Sequence, residues 1–147
     1  MSLSRMYVMF IVALLFGCAA ANPPASHEMT KYVDTTGQSR DQLINTMKQR
    51  FEGKCTATVI GSCMHMVKNI TNNGFDYIDP SSIDKNTRKL MLLGRFRFDT
   101  PPIYRATRGV TNPSYSVGNE NCRVRFDDKE ESLEFYGLLE SIYQSGK

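Results

Sequence analysis

The chain has 147 residues, a formal net charge of +3 from 18 Lys and Arg against 15 Asp and Glu, and 41% hydrophobic residues. It carries no internal repeat, heptad run or low-complexity tract, which excludes solenoid and coiled-coil architectures. So small a net charge also gives no global field with which to steer a polyanion, and any steering has to be local. The first element in chain order is an export signal. Arg5 precedes an apolar run from Met6 to Phe16, shorter than the ~20 residues a spanning helix needs and followed by small residues, as in a removable signal peptide. Residues 1–17 are assigned to it, or 1–21 if the Ala19-x-Ala21 site is used. Residues 18–28 read as a tether, because Ala19 to Ser26 is small, Pro-containing and uncharged. Residues 29–147 are expected to form a single globular domain, a length that buries a core without needing disulfides.

Within that domain, Met29 to Val33 is predicted as a short strand ended by Thr35-Thr36-Gly37-Gln38. Ser39 and Gln42 have capping-box spacing, and Leu43, Ile44, Met47 and Phe51 share one helical face before Gly53. Thr56 to Val67 is rich in β-branched and apolar residues with a break at Gly61, and Phe75 to Ile78 follows the Asn72-Asn73-Gly74 turn. Asp79-Pro80-Ser81-Ser82 reads as a loop, Lys89 to Phe98 as a strand stopped by Thr100-Pro101-Pro102, and Ile103 to Thr107 and Asn121 to Phe126 as the last strands. Gly109 to Gly118 between them is rich in turn formers. Asp127 or Asp128 caps a terminal helix whose apolar stripe is Phe135, Leu138, Leu139, Ile142 and Tyr143. The order predicts an α+β fold, an antiparallel sheet with two amphipathic helices packed on one face.

The end of the signal, Leu15-Phe16-Gly17-Cys18, resembles the lipobox of bacterial lipoprotein precursors, with Leu at −3, Gly at −1 and Cys at +1; Phe16 is a less usual occupant of −2. The resemblance covers about a sixth of the chain and names no domain family. It implies that Cys18 is the lipidation site and carries acyl chains such as palmitate. The domain would then be a membrane-anchored lipoprotein of the cell envelope, held on the outer membrane and facing the periplasm; cleavage after Ala21 would instead leave it periplasmic or secreted. Several acyl chains anchor firmly where one does not. Cys55, Cys63 and Cys122 remain in the domain and permit one disulfide and one free thiol in an oxidising compartment. Pairing Cys55 with Cys63, eight positions and ~26 Å apart when extended, needs a reversal near Gly61-Ser62; Cys122 with either is equally acceptable on sequence.

Arg95-Phe96-Arg97-Phe98 and Arg123-Val124-Arg125-Phe126 alternate, so each strand sends its apolar members one way and its arginines the other. Arg95, Arg97, Arg123 and Arg125 are therefore the candidate binding residues, since guanidinium forks match carboxylates and phosphates. The partner expected is an anionic envelope component or an acidic protein surface. Nucleic acid is not expected, because Phe96, Phe98 and Phe126 point away from the cations that single-strand binders interleave with stacking aromatics. Cys63-Met64-His65-Met66 has the composition of a copper site, but alternation splits its ligands between two faces, so no metal or other cofactor is predicted. His27 lies in the tether with nothing to fix a partner. Asp76, Asp79 and Asp84 cluster in sequence without the context of a catalytic pair, neither His sits in a nucleophile or metalloprotease motif, and no catalytic residue is assigned. Asn69-Ile70-Thr71 is a glycosylation sequon without meaning in a bacterial envelope. The expectation is a non-enzymatic binding or scaffold domain; the alternative is an exported inhibitor or immunity-type protein that blocks a toxin or hydrolase.

Overall fold

A computed structural model describes residues 32–107 and 113–147. The signal, the lipobox with Cys18, the tether with His27, and Met29 to Lys31 of the first expected strand lie outside the described residues. Tyr32 and Val33 are not in a strand; they pack partly buried against the core.

Helix α1 spans Arg40–Phe51. Ser39 Oγ accepts from the Gln42 amide at 3.3 Å while Gln42 Oε1 accepts from the Ser39 amide at 2.8 Å, so the capping box closes in both directions. Its buried face is Leu43, Ile44, Met47 and Phe51, and Gly53 leaves the helix at φ +75°. Four strands follow as an antiparallel meander: β1 (Cys55–Val59), β2 (Ser62–Lys68), β3 (Gly74–Ile83) and β4 (Leu90–Arg97), in that spatial order. Arg40 Nη2 reaches the Asn72 carbonyl at 2.7 Å and ties α1 to the β2–β3 connection.

β3 runs through Asp79-Pro80-Ser81-Ser82, which the sequence predicts as a loop. The strand tolerates Pro80 because the ladder is interrupted there: β2 pairs with β3 only as far as Met66↔Ile78, and the β4 register jumps from Asp79↔Met91 to Ile83↔Leu90. A residue with no N–H sits where no ladder donor is called for.

Beyond Thr100-Pro101-Pro102 the chain starts a second antiparallel sheet, β5 (Ile103–Thr107), β6 (Ser114–Gly118) and β7 (Arg123–Phe126), in that order. The strands thus divide into two sheets rather than one, because consecutive prolines cannot continue the β4 ladder. Ser114–Gly118, inside the stretch predicted as turn, is the central strand of the second sheet, where Val117 is fully buried. Its Ser and Gly content hides it from a composition argument.

Helix α2 spans Lys129–Ser145, capped by Asp128, whose Oδ1 accepts from the Glu131 amide at 2.8 Å. Glu130 and Glu131 in the first turn complement the positive end of the helix dipole. The predicted stripe is buried except for half-exposed Tyr143, and Ser132, Leu133, Tyr136 and Gly137 are buried as well. α1 and α2 touch, with Arg50 pairing to Glu134. The core is aromatic: Phe135 packs edge-on against Phe51 at 4.9 Å and against Phe75 at 5.5 Å between centroids, and Phe126 lies 5.1 Å from Phe135. The described residues therefore form a mixed α+β domain of antiparallel sheets and two helices. No helix among the described residues is long and apolar enough to cross a membrane.

Candidate functional site

Alternation on β4 and β7 works as the sequence predicts: Phe96, Phe98, Val124 and Phe126 are buried, and Arg95, Arg97, Arg123 and Arg125 are exposed. The four arginines nevertheless belong to two sheets and stand in different electrostatic surroundings. Arg95 faces Asp76 across the β3–β4 ladder, its Nε 2.9 Å from Oδ1. Arg97 grips Asp99 with both arms, Nε at 3.1 Å and Nη2 at 2.6 Å. Both β4 cations therefore have an internal carboxylate. On β7, Arg123 Nε meets only the Asn119 carbonyl at 3.4 Å, and neither Arg123 nor Arg125 makes an ion pair among the described residues.

Arg125 lines an open depression of about 490 Å³ together with Thr58, Val59, Ile60, Pro113 and Asp127. Its floor is fixed by Asp127, whose Oδ2 accepts from the amide and the hydroxyl of Thr58 at 2.8 and 2.9 Å, and whose own amide donates to the Thr56 carbonyl at 3.0 Å. These bonds join β7 to β1 and hold the first sheet against the second.

The same junction explains His65. β7 is an edge strand, and two of its outward N–H groups are met by side chains from the first sheet: Arg125 donates to His65 Nδ1 at 3.1 Å, and Arg123 to the Tyr77 hydroxyl at 3.4 Å. Backbone donors on a sheet edge need partners, and here the imidazole and phenol act as a substitute fourth strand. Burial, and after it the nearby Arg125 cation, hold His65 below its ordinary pKa, consistent with an acceptor nitrogen that has to stay unprotonated. Sequence reasoning could not find this role, since a lone His in a strand says nothing about which strand edge it meets.

The remaining candidates are committed elsewhere. Cys63 is bonded to Cys55, with Cα atoms 5.7 Å apart across an irregular stretch of β1. The reversal that the pairing needs is at Ile60-Gly61. Cys122, equally acceptable on sequence, takes no part: it is buried and free, its thiol pushed up to about 12 first by burial and then by the Asp76 charge. Met64 Sδ accepts from Ser81 Oγ at 3.2 Å. Asp79 Oδ1 accepts from the Ser81 hydroxyl and amide at 2.6 and 2.9 Å, and the Ser81 bond first of all holds its carboxyl below the usual range. Asp84 accepts from the Asn86 and Thr87 amides and is lowered by the same backbone bonds, Thr87 first. No three His, Cys, Asp or Glu come together as a metal site among the described residues. Of the candidate binding residues, the two left without an ion pair among the described residues are on β7, and the apolar β1–β2 tip lies beside Arg125. No family model matches the chain, and neither a curated protein nor a solved structure is similar enough to count as a match.

Proposed function

We propose that this is an exported, lipid-anchored envelope protein whose folded domain binds another macromolecule and carries out no chemistry of its own. The single observation behind the binding role is the contrast among the arginines. Arg95 and Arg97 carry internal carboxylates, whereas Arg123 and Arg125 make no ion pair among the described residues, and Arg125 lines an open depression. An exposed fork without a carboxylate is the one to receive an acidic protein surface or an anionic envelope polymer. Export is supported by the Cys55–Cys63 disulfide, which persists in oxidising compartments, and anchoring by Leu15-Phe16-Gly17-Cys18. In this arrangement both helices occupy one side of the domain, leaving the β7 arginines on a side free to dock.

Two double variants separate the arginine pairs. With the tagged full chain as bait in envelope extracts, Arg123→Gln with Arg125→Gln is expected to lose the retained partner, and Arg95→Gln with Arg97→Gln to keep it. Equal recovery with both would remove the β7 surface. The mass of the mature amino terminus tests the anchor: acyl chains on Cys18 are expected, and an unmodified chain starting at Asn22 would refute lipidation.

A further inference from the structure

The six large hydrophobic side chains that remain exposed in the described residues, Val59, Ile60, Ile83, Leu90, Met91 and Leu92, all lie at one end of the first sheet. Pairing fixes this. β2 begins at Ser62, opposite Val59, and β3 ends at Ile83, opposite Leu90, while the Ser81 to Met64 hydrogen bond brings the late part of β3 alongside the early part of β2. The β1–β2 and β3–β4 tips are therefore neighbours. Leu90, Met91 and Leu92 are consecutive, so both faces of β4 are apolar there, beyond the reach of the aromatic core.

Cations outnumber acids in the turn at the β3–β4 tip. Lys85, Arg88 and Lys89 are exposed in the connecting turn and make no ion pair among the described residues. The turn's single acid, Asp84, is spent on the Asn86 and Thr87 amides. Backbone strain marks the same two tips: Ile60 sits at φ +52° and Arg88 at φ +54°. A β-branched residue at positive φ is a genuine outlier, where Asn or Gly is the usual occupant of such a hairpin turn. The two-residue reversal at Ile60-Gly61 demands positive φ at both positions, and the isoleucine that takes the strained one is fully exposed, where no packing favours it over Asn.

We propose that these two tips dock on an anionic lipid surface, the apolar side chains entering the headgroup boundary and Lys85, Arg88 and Lys89 meeting phosphates. Apolar groups flanked by unpaired cations are the arrangement that binds such interfaces. A second copy of the chain fits poorly, because antiparallel β4-to-β4 pairing about Leu92 would set Lys89 opposite Arg95, and like charges in register destabilise a ladder. The docking surface borders Arg125 at Val59 and Ile60 but engages the β3–β4 tip, remote from Arg123, and stands whether or not Cys18 carries lipid.

The chain contains no Trp, so Leu92→Trp places a single indole at the tip and Gln49→Trp a control on the exposed side of α1. Each full-length variant is mixed with vesicles of phosphatidylcholine brominated on its acyl chains, with or without phosphatidylglycerol. The indole at position 92 is expected to lose emission about twofold on the anionic vesicles only, as expected for insertion at the acyl boundary, and the control indole to keep its emission. Lys85→Glu, Arg88→Glu and Lys89→Glu together should abolish the quenching with the circular dichroism unchanged. An unquenched indole at position 92 on vesicles that co-sediment with the chain would overturn the proposal, as would the equal quenching on uncharged vesicles or no binding to either. Because the readout is local, adhesion through the apolar amino-terminal segment is told apart from insertion of the tips.

Discussion

Removing the Cys55–Cys63 disulfide tests how much of the β1–β2 hairpin is held by covalent constraint. The bond closes a short loop, sequence separation 8, and loop-closure entropy for a ring of that size corresponds to about 2.5 kcal/mol of stabilisation through the unfolded chain. Little else in the folded hairpin replaces it: the ladder is offset twice in β1, between Cys55 and Ala57 and between Ala57 and Thr58, and Val59, Ile60 and Gly61 are exposed. Cys55→Ser with Cys63→Ser is therefore expected to lower stability by about 2.5 kcal/mol. With a urea slope near 2 kcal/mol/M that is a midpoint shift of about 1 M, or roughly 10 °C in melting temperature for a domain of this size. The assay is urea unfolding of wild type and variant, each with and without reductant. Reductant should bring the wild type down to the variant and leave the variant where it was. Thiol counting supplies an independent check. Of the four cysteines in the sequence, two are in the bond, so an uncleaved, unlipidated and unreduced chain should show two reactive thiols on denaturation, Cys18 and Cys122. Four should appear after reduction. A midpoint indifferent to reductant, or four thiols without it, would refute the covalent account of this hairpin.

Phe51→Ala empties the place where α1 meets the second sheet and α2. Phe51 is buried between Phe135 at 4.9 Å and Phe126 at 6.4 Å, and truncation of a buried Phe costs about 3–5 kcal/mol; a loss under about 1 kcal/mol by urea unfolding would mean that this cluster is not the core. His65 gives a pH dependence with a definite sign. Its folded pKa is lowered from 6.5, so the unfolded chain takes up the proton first; its contribution is complete above pH 6.5 and is lost as pH falls from there towards the lower folded value. Glu131, raised by burial first of all, works the opposite way, gaining stability as pH falls, so the wild-type curve has to be compared with His65→Gln to isolate the imidazole. A wild-type advantage that grows between pH 7 and pH 5, or an NMR titration of His65 above 6.5, would contradict the acceptor role.

The helices were legible because their signals are local. Ser39 with Gln42, and Asp128 with the acids after it, satisfy amides within one turn, and no distant residue can overrule that arithmetic. The alternation of Arg95 to Phe98 and of Arg123 to Phe126 was legible for a similar reason, since period two puts side chains on opposite faces whatever the partner strand. Register and partnership are different quantities. Pro80 lies in a strand only because the β2 and β4 ladders both lapse beside it, which depends on residues ten or more positions away in either direction. Ser114 to Gly118 is a central strand because β5 and β7 flank it. Likewise, Arg95 and Arg125 look alike in sequence, and only the β3 register, which sets Asp76 opposite Arg95, separates a satisfied cation from a free one.

That separation also explains why the two exposed surfaces tolerate what a core would not. Val67, Phe75 and Phe96 of the first sheet belong to the core shared with both helices, and on that half Arg95 pairs with Asp76. Past the point where β2 pairing ends at Ile78, β3 and β4 continue as a two-stranded ribbon. A sheet extended this far into water would normally be blunted by polar residues, yet the extension carries Ile83, Leu90, Met91 and Leu92. Shortening the hairpin would cost the core nothing, since none of these side chains belongs to it. Packing in the core therefore does not account for the length of β3 and β4; the proposed docking does, and replacing Leu90, Met91 and Leu92 by Thr should change unfolding by no more than about 0.5 kcal/mol per substitution while abolishing vesicle binding through the tips.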